Sequence, residues 1–213
     1  MTRTLTVLLC LSLGLGVLPV SAAPQTGAGA AQKPAAPEAG AAVDTLQLLQ
    51  RAVARDSTRF DDLYQLGILY LDKDRSQEAL AVLTRAHVLK PKDHRVDVNL
   101  GAALDAVGRS YDAQQYYKEA LALAPDDSVA SCRLASSLYS QSQYGEAVDV
   151  LRRVIKDHPS AYCAYFTMGV AFADAGIYRD AIRMWRRVVE LAPTSPEAVS
   201  ARESMDVLEK IIQ

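Results

Sequence analysis

Between residues 60 and 195 the apolar side chains fall into paired runs, and the pairing recurs four times. Each run has the 3.6-residue period of a helix face, so each pair predicts two amphipathic helices. Pro91, Pro125, Pro159 and Pro193 stand 34 residues apart and close the four units. With the proline numbered as position 32, the units are 60–93, 94–127, 128–161 and 162–195. Position 8 is small (Gly67, Gly101, Ala135, Gly169), position 20 is always alanine (Ala79, Ala113, Ala147, Ala181), and position 24 is bulky (Leu83, Tyr117, Leu151, Trp185). Small residues at positions 8 and 20 let the two helices of a unit approach closely, and a proline cannot continue a helix, so it ends the second one. Position 19 is acidic throughout (Glu78, Asp112, Glu146, Asp180), in the first turn of the second helix, where the helix dipole favours negative charge.

The flanks extend the same architecture. Asp44–Asp56 puts Leu49 and Ala52 at positions 24 and 27 of a preceding unit, as the second helix of a degenerate half-repeat. After Pro193, Pro196 opens a last helix over 197–212, with Val199, Met205, Leu208, Ile211 and Ile212 expected on one side and polar residues behind. Its positions 7 and 8 are Arg202 and Glu203, so it reads as a cap and not as a fifth repeat. The expectation is an all-α solenoid of ten helices over 44–213, behaving as one cooperative array.

This register resembles the tetratricopeptide repeat family, and the resemblance covers 136 of the 213 residues. It implies a right-handed α-solenoid of helix-turn-helix repeats whose first helices line a concave groove with positions 2, 5, 6, 9, 12 and 13. On this chain that lining includes Tyr64, Ile68, Arg95, Asn99, Arg133, Ser136, Tyr139 and Phe166. Family members that grip a C-terminal carboxylate use five polar residues of this lining. Asn99 and Arg133 match them, whereas Tyr64, Ile68 and Val129 do not, so that ligand is not implied. What remains is a set of aromatic platforms beside polar groups, suited to an extended peptide or a docked helix. The plainer alternative is that the tyrosines pack on neighbouring helices with their hydroxyls in water. By the same register Cys132 and Cys163 become neighbours in the groove. An oxidising compartment would join them as a disulfide, and two small buried hydrophobes is the other reading. The resemblance implies a non-enzymatic protein–protein interaction scaffold, and exported members of the family assemble envelope machinery. A self-associating or membrane-tethered spacer is the alternative.

Charge and the amino terminus add the setting. Arg3, the apolar run Leu5–Val20 and the small residues Val20-Ser21-Ala22-Ala23 read as a signal peptide over 1–23. An uncleaved anchor is the competing reading, and membrane contact is expected only in that case. Residues 24–43, rich in alanine, proline and glycine, read as a flexible linker. The expected location is therefore the bacterial periplasm or the medium. A formal net charge of −2 lacks the basic surface that nucleic acid requires, so no nucleic-acid partner is expected. His87, His94 and His158 share no face, and no metal-ligand spacing, nucleophile motif or phosphate loop occurs, so no catalytic residue, metal, cofactor or small-molecule substrate is expected. The partner expected is another envelope protein or peptide. Arg152, Arg153, Arg179, Arg183, Arg186 and Arg187 fall on the second helices among Glu146, Asp149, Asp180 and Glu190 and read as a solvated face.

Overall fold

The computed structural model describes residues 44–212; the expected signal peptide over 1–23 and the whole expected linker over 24–43 lie outside them. Ten helices follow one another, α1 Thr45–Arg55, α2 Phe60–Asp72, α3 Ser76–Leu89, α4 His94–Ala106, α5 Ser110–Leu123, α6 Ser128–Ser140, α7 Tyr144–Asp157, α8 Tyr162–Asp174, α9 Tyr178–Leu191 and α10 Pro196–Ile211. Helices α2/α3, α4/α5, α6/α7 and α8/α9 are the pairs of the four units. Among the described residues there is no strand.

The helix boundaries have local causes. α3, α5, α7 and α9 all stop two residues before the unit's proline. The side chains of Asp93, Asp127 and Ser195, at position 34, accept hydrogen bonds from backbone N–H groups of the first turns of α4, α6 and α10. Within each unit the turn between helices closes on position 15 in the left-handed region: Asp74 (φ 56), Gly108 (φ 79), Ser142 (φ 62) and Gly176 (φ 75). The next residue's N–H then reaches back to a carbonyl five residues earlier, as in Arg75 to Tyr70 at 2.8 Å and Ile177 to Phe172 at 2.8 Å, which is the Schellman closure.

The small residue at position 8 sets the distance between paired helices. A Cβ on Gly67 would lie 2.5 Å from Leu83, and one on Gly101 would lie 2.5 Å from the Tyr117 ring. Gly169 sits under Trp185 in the same way, and the Trp185 indole N–H donates to the Phe166 carbonyl at 3.2 Å. The bulky residue at position 24 thus lies directly on the backbone of its partner helix.

The capping helix departs from expectation. Ala198, Ala201 and Leu208 face the core, while Val199, Val207 and Ile211 are 50%, 53% and 57% exposed. Its outer face is therefore mixed and not polar, because α9 meets the small face of α10. The arginines of the outer surface are exposed, and several pair locally: Arg152 with Asp149, Arg183 with Asp180, Arg187 with Glu190, and Arg186 with Glu209.

Candidate functional site

The first helices of successive units touch one another, α2 with α4, α4 with α6, α6 with α8 and α8 with α10, whereas the second helices meet only their sequence neighbours. This asymmetry curves the array with the first helices inside, so their open faces line a groove.

At the amino-terminal end of that lining, polar groups are already committed. The Asn99 amide donates to the Tyr64 hydroxyl at 3.2 Å and to the Arg95 carbonyl at 2.8 Å. The Arg95 guanidinium binds both oxygens of Asp93, at 2.9 and 2.6 Å, and lies 5.5 Å from the Tyr64 ring centre. That contact holds the Asp93 carboxyl below its ordinary range, and burial pushes the Tyr64 phenol up. Tyr64 and Asn99 are half-buried, Ile68 likewise, and only Arg95 is exposed. Three of the expected residues, Tyr64, Arg95 and Asn99, thus form one cluster on α2 and α4, in which the polar groups bond to one another.

Further along lies a cavity of about 930 Å³ between α4, α6 and α8, lined by Arg133, Ser136 and Phe166 of the expected set. Asp105 enters this wall but is occupied. Its carboxylate accepts from the Tyr117 hydroxyl at 3.0 Å and from Ser137 at 2.9 Å. Burial, reinforced by that carboxylate, pushes the Tyr117 phenol up, while the nearby Arg133 charge works against the rise. Arg133 itself is exposed, and among the described residues it forms no ion pair. Ser136 meets Thr167 across the groove at 3.2 Å. Tyr139 stands apart from the cavity lining, its hydroxyl donating to Asp174 at 2.7 Å and its ring 4.9 Å from that of Tyr144. Burial and the Asp174 carboxylate push that phenol up.

Cys132 on α6 and Cys163 on α8 are joined through their sulfurs in this wall, with Cα atoms 6.0 Å apart. Such a Cα separation is ordinary for a disulfide. The residues missing from the sequence-based set are mainly hydroxyl bearers, Ser110, Ser128, Ser137, Ser140, Ser160 and Tyr162, joined by Gln141, His158 and Glu197. The available signal was the serine content of α6, with Ser128, Ser131, Ser136, Ser137 and Ser140 among its 13 residues. Hydroxyl groups that donate or accept, the Arg133 cation and the half-buried Phe166 ring can together hold a peptide backbone and one acidic group.

The tetratricopeptide repeat family model matches residues 64–128, 98–162 and 132–196, each window shifted by one repeat from the last. The chain belongs to this family. Human tetratricopeptide repeat protein 7B is 27% identical over 128 residues, which is 60% of this chain but 15% of that protein. The chain spans only 15% and 16% of the first two curated relatives it matches. Among solved structures, the thermophilic TPR protein TTC0263 of Thermus thermophilus superposes with a TM-score of 0.66 at 16% identity, covering 75% of this chain and 88% of that one. YrrB, described as a TPR protein with an unusual peptide-binding site, gives 0.55 at 22% identity, covering 74% of this chain and 81% of that one. At those identities the likeness shows the fold.

Proposed function

We propose that this chain is a non-enzymatic scaffold that holds an extended peptide, or a helix, of another protein in its inner groove, and that it does so in the bacterial envelope. The observation behind the groove reading is Arg133, an exposed cation with no ion pair among the described residues, in a cavity of about 930 Å³ walled by hydroxyl groups. A rigid array offers such a surface ready-made, so only the ligand loses conformational freedom on binding. A peptide-binding site in YrrB, which shares the fold, supports the same reading. The envelope part rests on Arg3, the apolar run Leu5–Val20 and the small residues that follow, all outside the described residues.

The test begins with protein taken from its own host. A mature chain starting near residue 24 in the envelope fraction keeps the export reading, and a cytosolic chain retaining residues 1–23 overturns it. That protein then selects from a library of 12-residue peptides with free carboxyl ends, and binders are titrated by fluorescence anisotropy against wild type and Arg133→Glu. Removing a charge-assisted contact and inverting its sign is expected to weaken binding at least about tenfold. Equal affinities, at equal helical content, would overturn the groove assignment.

A further inference from the structure

The beginning of α8 is held differently from the other first helices that follow a full repeat. α4 starts on a side-chain cap from Asp93, α6 on one from Asp127 and α10 on one from Ser195, whereas Ala161 stands at this position before α8 and supplies none. α8 is also poorly buried. Only Ala164, Met168 and Gly169 are buried along it, against eight residues of the equally long α4. The hydrogen bonds tying α8 to α6 through side chains, Ser136 with Thr167 and Tyr139 with Asp174, lie in its middle and at its end. Its first turn is secured by Cys163, the second residue of the helix, bonded to Cys132 of α6. Phe166 follows within one turn. A covalent link stands where the neighbouring repeats use a cap.

We propose that Cys132–Cys163 is a thiol-exchange site whose reduction releases the first turn of α8 from α6 and so loosens the wall of the binding groove. This second consequence rests on the groove reading above. Both cysteines line the open cavity, but Cys132 is 4% exposed while Cys163 is only half-buried. Attack therefore falls on the Cys163 sulfur. A thiolate of an external dithiol bonds to it, the bond to Cys132 breaks, and Cys132 leaves as a thiolate that takes a proton from water. The second thiol of the dithiol, deprotonated, then displaces Cys163. Two thiols remain on the protein and the dithiol departs as its cyclic disulfide, two electrons having moved from reductant to protein. The reverse exchange with a disulfide oxidant closes the site.

The direction of attack is read in full-length protein carrying Cys10→Ser, so that only the two groove cysteines report. With the partner removed, Cys163 in Cys132→Ser is expected to react with an aromatic disulfide reagent at least about tenfold faster than Cys132 in Cys163→Ser. Equal or reversed rates overturn the assignment of Cys163 as the entry point. The mechanical claim is read by amide hydrogen exchange in the Cys10→Ser protein, oxidised or reduced with dithiothreitol. Amides of Phe166–Val170 are expected to exchange about tenfold faster after reduction while those of α4 stay unchanged. Unchanged exchange in α8, or a uniform rise across all helices, overturns it. The same two samples are titrated with a selected peptide. Binding that is identical in both states while Arg133→Glu abolishes it removes control of the groove and leaves the groove. Failure to bind in either state counts against the groove reading alone, and the exchange result still decides the staple.

Discussion

Glycine in a helix interior ordinarily weakens the helix, and here it sits at the same place in three of four repeats because the partner helix leaves no room for more. Gly101 is the sharpest case. A methyl there would stand 2.5 Å from a ring carbon of Tyr117, a fully buried side chain whose hydroxyl is also anchored on Asp105. The ring cannot step aside without giving up that bond. Gly101→Ala is therefore expected to destabilise by about 1–3 kcal/mol, the usual cost of overpacking. Gly145 is the control, since it lies in the first turn of α7 with nothing within 4 Å of its would-be Cβ. Gly145→Ala is expected to stabilise by about 0.5–1 kcal/mol through helix propensity and a less flexible unfolded chain. Urea unfolding of the two variants beside wild type reads both signs at once, and a stabilising Gly101→Ala would mean that the two helices do not pack this closely.

Between elements, the joint of α3 to α4 is carried in part by a buried carboxylate. Asp97 is 1% exposed, and the His87 ring nitrogen Nδ1 lies 2.8 Å from its Oδ1, with Tyr116 edge-on to the imidazole. Burial raises the Asp97 pKa above its ordinary 3.8, against the pull of His87 and with help from Glu119 and Asp93. A carboxyl whose folded value is raised binds its proton more tightly in the native state. Its contribution to stability is thus greatest below pH 3.8 and is lost as pH rises through the folded value. Asp97→Asn keeps an acceptor for His87 but carries no charge. The stability of wild type relative to this variant should therefore fall as pH is raised from about 3 toward 7 and then level off, as followed by urea midpoints. A difference that is flat or rising over that range would show that the His87 contact outweighs the burial. The helices that frame this joint were legible in the sequence, since the recurrence of position 8, position 20 and the proline dictates where each must begin and end. The left-handed turn at position 15 was only half legible: Gly108 and Gly176 mark it, but Asp74 and Ser142 give no sign. The inner face of the capping helix was legible only in part: Leu208 and Met205 pack against the α9 cluster as expected, but Ala198 and Ala201, whose small size a hydrophobic pattern underweights, complete that face while Val199 and Ile211 are exposed. In the groove the positions followed from the repeat, but the state of each side chain did not. Asn99 is bonded to Tyr64, and Tyr139 to Asp174, across sequence separations of 35 residues, and such pairings depend on how adjacent repeats stack.

On the scale of the whole chain, the core is continuous in space but uneven in depth. One large cluster runs from Leu46 of α1 to Ala147 of α7, a small one around Cys132, Leu151 and Met168 bridges to α8, and another, centred on Trp185, joins α9 to α10. In a linear array each unit is stabilised by itself and by its neighbours only, so a thinly packed junction allows one end to open while the rest stays folded. Such an opening would depart from the single cooperative array the repeat pattern suggests. The chain carries one tryptophan, Trp185, 4% exposed against Gly169 and below α10, which makes it a reporter of the carboxy-terminal end alone. Far-UV circular dichroism instead follows the helices throughout, and most of the ten among the described residues belong to the amino-terminal cluster. If the ends differ in stability as their cores do, Trp185 emission should shift to the red at a lower urea concentration than the midpoint of the helical signal. Reduction of Cys132–Cys163 should widen that gap, because the bond spans the junction between the two regions and not either one. Coincident transitions in both redox states would mean that α8 couples the halves strongly enough for all-or-none unfolding, and the disulfide would then be a reinforcement of an already cooperative solenoid.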